Sequence, residues 1–76
     1  MNNKRRSEIN SIKNDILIVK RNIQKVLDEE QESFDNMPES LQSSERGMNS
    51  EEAIDLMDEA MQSLDETYDI LSNIMW

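Results

Sequence analysis

The segment FDNMPESLQSSERGMNSEE, residues 34–52, decides the fold of this chain, because it separates two long stretches of helical periodicity. It contains the only proline, Pro38, and the only glycine, Gly47, of the 76 residues. A structureless loop of about 14 residues is unusual in so small a domain. Proline suits the first position of a helix, and glycine suits the left-handed position just after a helix end. We therefore predict a connector over residues 36–49 that contains a short helix over residues 38–46.

The other residues of this connector fit a short helix. Glu39 complements the positive end of its dipole, and Arg46 complements the negative end. Leu41, together with Met37 and Met48, is expected to pack against the end of the hairpin. A flexible polar linker is the alternative interpretation of the same residues.

Upstream of the connector, apolar residues recur at alternating steps of three and four, the period of one face of an α-helix. They are Ile9, Ile12, Ile16, Val19, Ile23 and Val26, and Leu27 and Phe34 continue the stripe. This pattern predicts a first helix over residues 7–35, with Ser7 as the N-cap and a solvated basic tail over residues 1–6. Glu30 interrupts the stripe where an apolar residue is due.

Downstream of the connector, the same spacing returns. The apolar residues there are Ile54, Met57, Met61, Leu64, Tyr68 and Leu71. Asn49 and Glu52 have the spacing of a capping box, with Ser50 as a rival cap, so a last helix is predicted over residues 50–75. At a rise of about 1.5 Å per residue each helix is about 40 Å long. The sequence therefore predicts one all-α domain, an antiparallel helical hairpin with a short connecting helix.

Composition argues against catalysis. The chain has no cysteine and no histidine, which removes thiolate ligands and the usual general base near neutral pH. It also lacks a glycine-rich phosphate loop, a calcium-binding loop and a serine in a recognisable nucleophile setting. We predict a protein that is not an enzyme and holds no metal or cofactor. The longest apolar run, residues 16–19, is too short to span a membrane, so a cytoplasmic location is expected.

The net charge of −9 is unevenly distributed. Residues 1–27 carry seven basic groups against two acidic ones, and residues 28–76 carry fifteen acidic groups against one arginine. The acids of the last helix lie on the arc away from its apolar stripe: Glu51, Glu52, Asp55, Asp58, Glu59, Asp65, Glu66 and Asp69. They place one charge about every 3.4 Å, close to the phosphate spacing along one DNA strand. This arc is either a solvated surface matched to the basic first helix or a surface that mimics DNA.

One block of the connector resembles known proteins. DNMPESLQSSERG, residues 35–47, followed by an acidic amphipathic helix, is similar to a group of small proteins from phages and prophages of low-GC Gram-positive bacteria. The similarity covers roughly residues 28–71. The matching positions of the block are Asn36, Pro38, Glu39, Leu41, Gln42, Ser44, Glu45 and Arg46. The resemblance implies a small phage-type accessory protein that acts in the host cytoplasm, and it assigns no activity to any residue.

Two helices alone cannot cover every apolar side chain of this sequence, because Ile18 stands nearly opposite the stripe of the first helix, with Leu17 on its flank. We therefore expect a homodimer that forms a four-helix bundle and binds a host or phage protein through its helices. The first alternative is an acidic DNA mimic that inhibits a host nucleic-acid-binding or defence protein. The second is an oligomeric sponge for a small phosphorylated ligand, against which the acidic surface argues. Neither direct binding to nucleic acid nor binding to a membrane is expected.

Overall fold

The computed structural model describes residues 2–74, which form three helices and, within that range, no strand. They are α1 (Asn3–Asp35), α2 (Glu39–Gln42) and α3 (Glu45–Ser72). α1 and α3 pack antiparallel along their length, and α2 packs against α3. The molecule is a rod that measures 58 by 15 by 12 Å. The prediction of an all-α helical hairpin is confirmed.

The first helix begins earlier than predicted. The side-chain oxygen of Asn2 accepts a hydrogen bond from the backbone N–H of Arg5 at 2.8 Å, so Asn2 is the N-cap. This bond satisfies one of the N–H groups that a helix start leaves without an intrahelical acceptor. Ser7 lies inside the helix, and the tail predicted to be solvated coil is helical from Asn3 onward. Met1 lies outside the described residues.

The connector is shorter than predicted, and its helix has only one turn. Pro38 is the N-cap of α2 and not its first helical residue. The helix ends at Gln42, four residues before the predicted end at residue 46. α3 begins at Glu45, five residues before the predicted start. Asn49 and Ser50 therefore lie within α3 and cap nothing. At the other end α3 stops at Ser72, and the last residue of the predicted range lies outside the described residues.

The roles predicted for Arg46 and Gly47 are wrong, because both residues lie in the first turn of α3. Arg46 stands at the positive end of that helix, where its charge is not complemented. Gly47 has no positive φ. It is buried, and a Cβ built on it would lie 2.5 Å from the carbonyl oxygen of Leu41 and closer still to that of Gln42. Glycine is needed here because the end of α2 presses directly onto the α3 backbone.

Hydrogen bonds hold this turn in place. The side-chain amide of Gln42 donates to the carbonyl oxygens of Phe34 at 3.1 Å and Met37 at 3.2 Å, which ties α2 to the end of α1. Met37 is half-buried, as expected of a residue that packs against the hairpin end. Leu41 and Met48 are exposed, so the packing predicted for those two residues does not form.

The contact between α1 and α3 is narrow. α3 turns its predicted stripe toward α1: Ile54, Met57, Met61, Leu64, Tyr68 and Leu71 are all buried or half-buried. α1 agrees with the prediction only in part. Its half-buried residues include the predicted Ile9, Ile16, Ile23, Leu27 and Phe34, and also Lys13, Lys20 and Glu30. Three residues of the predicted stripe, Ile12, Val19 and Val26, stay exposed. Met61 is the only buried hydrophobic residue among residues 2–74.

Candidate functional site

An apolar groove runs between α1 and α3 on one side of the rod. It has a volume of about 450 Å³ and is open to solvent. Its walls contain no charged side chain; they are formed by Val19, Asn22, Ile23, Val26, Leu56, Met57 and Ala60. The exposed fractions of Val26 and Leu56 are 52% and 55%, far from the near-complete burial of a core side chain.

The apolar surface continues beyond the groove toward the far end of the hairpin, where Ile12 and Ile70 are 46% and 60% exposed. On the same side, α3 carries a row of residues at steps of three and four with no charge: Asn49, Ala53, Leu56, Ala60, Ser63, Thr67 and Ile70. We call this row, together with Ile12, Val19 and Val26 of α1, the groove face. Its small side chains leave room for another helix to approach closely.

The orientation of α1 explains why the groove face is apolar. A residue three places further along a helix lies about 60° around it from the first. Ile9, Ile16 and Ile23 face α3, so Ile12 and Val19 point toward the groove side. The apolar stripe of α1 thus faces partly toward α3 and partly toward the groove side. The uncharged row of α3 also lies on the groove side.

Polar contacts fix how α1 and α3 are aligned. The Lys20 ammonium lies 2.5 Å from a carboxylate oxygen of Asp65, and the Lys13 ammonium lies 4.8 Å from the ring centre of Tyr68. Partly exposed contacts of these two kinds contribute about 0.2–1 kcal/mol each. Both lysines are thus half-buried on the side of α1 that faces α3, and their charged ends contact α3 side chains.

One polar contact of the hairpin is partly buried. The Ser50 hydroxyl donates a 2.6 Å hydrogen bond to a carboxylate oxygen of Glu30, near the connector end. Ser50 itself is only 5% exposed. A charged group that is partly removed from water needs a hydrogen-bond donor. Ser50 of α3 provides this donor for Glu30, the one charged residue that interrupts the apolar stripe predicted on α1.

The predicted acidic residues of α3 lie on one continuous surface on the side away from the groove face. We call this surface the acidic face, and every one of its members is exposed: Glu51, Glu52, Asp55, Asp58, Glu59, Asp65, Glu66 and Asp69. Asp65 pairs with Lys20, and a carboxylate oxygen of Asp58 accepts a hydrogen bond from the Gln62 amide at 2.9 Å. The structure brings these acids together on one side of a single helix.

Two large apolar residues of the groove face, Leu56 and Ile70, were not predicted from the sequence. Both fall outside the stripe of α3 that packs on α1, and for that reason no role was predicted for them. The signal that finds them is the absence of charge along their row of α3, since every acid of that helix lies on other rows. Leu17 and Ile18, which were expected to lie off the hairpin interface, are indeed exposed.

Three further observations bear on the chemistry available. Within residues 2–74, no group of three or more acidic side chains is arranged to hold a metal ion. The same part of the chain contains no helix with the length and apolarity needed to cross a bilayer. No protein-family model, curated protein or solved structure matches the chain.

Proposed function

We propose that this chain is a small non-enzymatic accessory protein that acts through helix-mediated protein–protein interaction and first associates with a second copy of itself. The observation that carries the proposal is the exposed groove face. Burying one Val, Leu or Ile side chain stabilises a protein by about 1.5–3 kcal/mol. The hairpin alone forgoes much of this contribution at the five exposed large residues of the groove face, so association with another helix is favourable. They are Ile12, Val19, Val26, Leu56 and Ile70.

A four-helix bundle is the arrangement that fits both helices. In such a bundle the helices are nearly parallel or antiparallel. Seen down its axis, each helix has two neighbours in directions about 90° apart, and its apolar stripe points between them. The stripe of α1 is centred between α3 and the groove side, and the uncharged arc of α3 is wide enough for two neighbours. A second hairpin on the groove face would supply the missing pair of helices.

The resemblance of the connector block to small phage and prophage proteins supports a role as a phage-type accessory protein. On that basis the bundle acts in the host cytoplasm and binds a host or phage protein. The groove has no basic residue in its walls, so it offers no counter-charge to a phosphorylated small ligand. The sponge alternative therefore gains no support.

The self-association is tested by sedimentation equilibrium on the wild type and two single variants. We expect the wild type to form a dimer at micromolar concentration and Val26→Glu to shift it to a monomer, because the new carboxylate would be buried in the interface. Ile18→Glu is the matched control, since it places the same charge on an equally exposed apolar residue of α1 away from the groove face. A wild type that sediments at 8.9 kDa at all concentrations would contradict the proposal.

The acidic face favours a second candidate function, a DNA mimic that occupies a host nucleic-acid-binding or defence protein. Its eight acids are exposed and lie on one side of one helix. Binding through such a surface weakens steeply as salt rises, whereas binding through the groove face does not.

Replacing five acids of this face separates the two functions. The variant changes Asp55, Asp58, Glu59, Asp65 and Glu66 to Asn or Gln, and it leaves the groove face intact. If the chain is a DNA mimic, the variant still folds and dimerises but no longer competes with DNA for its target. If the acids are only a solvated surface, target capture from host lysate persists.

A further inference from the structure

We propose that the second copy binds the groove face and is related to the first by a two-fold axis. This axis lies in the interface, perpendicular to the helices, and runs from α1 across to α3, passing near Val19 and Ser63. In this dimer α1 packs antiparallel against α1 of the second copy, and α3 packs antiparallel against α3. The two connectors then lie at opposite ends of the bundle. The inference rests on the proposed self-association and adds the orientation of the two copies.

The positions of the exposed apolar residues carry the first part of the argument. The contacts of Lys13 with Tyr68 and of Glu30 with Ser50 show which residues of α1 and α3 lie at the same height along the rod. By this alignment Ile12 lies at about the level of Ile70, near one end of the groove face. Val26 lies at about the level of Leu56, and both residues line the groove near its other end.

These two apolar clusters are symmetric about the middle of the groove face. Ile12 and Val26 each lie seven residues from Val19, and Leu56 and Ile70 each lie seven residues from Ser63, which is about 10 Å on either side. A two-fold rotation about that middle therefore places Ile12 on Val26 of the second copy and Ile70 on Leu56. An interface between identical subunits requires this self-complementarity, in which residue i meets residue j and j meets i.

Charge complementarity carries the second part. α1 is basic over most of its length and acidic in its last turns, so an antiparallel α1 pair sets basic groups beside acidic ones. With Val19 at the centre, Arg5 comes within about 1.5 Å of the level of Glu32 of the second copy, and Lys25 within about 3 Å of the level of Asp15. Each of these contacts occurs twice by symmetry. Glu8 near Glu29 of the second copy offsets part of the gain.

The other possible two-fold axis runs parallel to the helices and packs α1 against α3 of the second copy. That arrangement sets Asp15 near Glu66 and Glu29 near Glu52, with Lys25 near Glu59 as its favourable contact. Like charges at a close helix pair are destabilising. The proposed orientation has the same number of like-charge contacts, Glu8 near Glu29 and Glu59 near Glu66. It has two kinds of opposite-charge contact, however, where the alternative has one. Charge therefore favours the perpendicular axis.

Single cysteines test the orientation directly, because the chain has none of its own. Under a mild oxidant, Val19→Cys should form a disulfide-linked dimer in high yield, since residue 19 meets its own copy at the axis. Ile12→Cys and Val26→Cys should each stay unlinked alone, because equivalent atoms lie about 20 Å apart, and should cross-link when the two variants are mixed. Ile18→Cys is the control and should not cross-link, because residue 18 lies about 100° around α1 from Val19 and points away from the groove face.

Each other outcome overturns a distinct part of the reasoning. If Val19→Cys does not link to itself but links to Ser63→Cys in a mixture, the axis runs parallel to the helices and the proposed orientation is wrong. If the wild type is dimeric by sedimentation yet no groove-face cysteine cross-links, the interface lies elsewhere. If the wild type is monomeric, self-association fails and the proposed function fails with it.

Discussion

The two parts of this hairpin are held together in different ways. At the connector end, specific contacts determine the structure: the backbone of α2 lies against Gly47, the Gln42 amide bonds two carbonyl oxygens, and Ser50 bonds Glu30. Along the shaft, α1 and α3 share a narrow apolar contact in which Met61 is the only buried hydrophobic residue described. The turn is thus specified by contacts within the chain, whereas the shaft leaves the apolar residues of the groove face exposed.

The largest effect is expected from Gly47→Ala at the connector end. Alanine normally stabilises a helix relative to glycine by about 1 kcal/mol. Here the added methyl group would overlap the carbonyl oxygens of Leu41 and Gln42, so we expect a loss of about 3 kcal/mol or more in the free energy of unfolding. Urea unfolding followed by circular dichroism measures it.

Ser40→Ala, at an exposed position of α2 outside the groove face, is the control for this substitution and should change the free energy of unfolding by less than about 0.5 kcal/mol. An increase in stability for Gly47→Ala would mean that the α2 backbone does not contact Gly47. The turn would then not be determined by close packing, and it would not differ from the shaft in this respect.

A middle-sized effect is expected from Ser50→Ala, where the connector end meets the shaft. Removing the hydroxyl leaves the Glu30 carboxylate without its donor, and a hydrogen bond to a charged group contributes about 1.5–3 kcal/mol. We expect a loss of that order in the free energy of unfolding. Ser33→Ala, an exposed serine of α1, should change stability by less than about 0.5 kcal/mol and serves as the control.

The smallest effect is expected from Lys25→Glu on the shaft. In the proposed dimer this charge reversal places the new carboxylate beside Asp15 of the second copy twice, and we expect the dimer to bind about tenfold more weakly. The double variant Lys25→Glu with Asp15→Lys exchanges the two charges and should recover most of the affinity. Recovery by Glu59→Lys in place of Asp15→Lys would assign α3, and not α1, as the neighbour of α1. Sedimentation equilibrium at low salt measures all three variants.

The sequence predicted the stripe of α3 correctly because that stripe is apolar throughout and carries no basic residue that could be mistaken for solvent-exposed surface. It predicted the α1 contact only in part, because Lys13 and Lys20 were not expected there. Lys13 and Lys20 have the character of surface residues, yet their aliphatic stems lie along α3 while their charged ends reach Tyr68 and Asp65. A helical wheel gives the position of each residue around a helix and cannot give the rotation of that helix relative to its neighbour.

The connector shows a second limit of sequence reasoning. A single glycine near a predicted helix end is most often in a left-handed conformation, which is why Gly47 was placed there. The close approach of a neighbouring backbone demands glycine equally well, and only the tertiary structure distinguishes the two reasons. The helix start at Asn2 was missed for a related cause, because Asn and Ser are nearly equal as N-caps and two candidates stood five residues apart.

The separation of the acidic face from the groove face has a kinetic consequence. Two copies of this protein repel each other at long range, since each carries a net charge of −9. The repulsion is strongest where two acidic faces turn toward each other and weakest where both point away, so the field of each molecule would favour the groove-to-groove encounter of the proposed dimer. Added salt is then expected to have two opposite effects on that dimer: it would speed the encounter by screening the repulsion, and it would shorten the lifetime of the dimer by weakening the proposed ion pairs along α1.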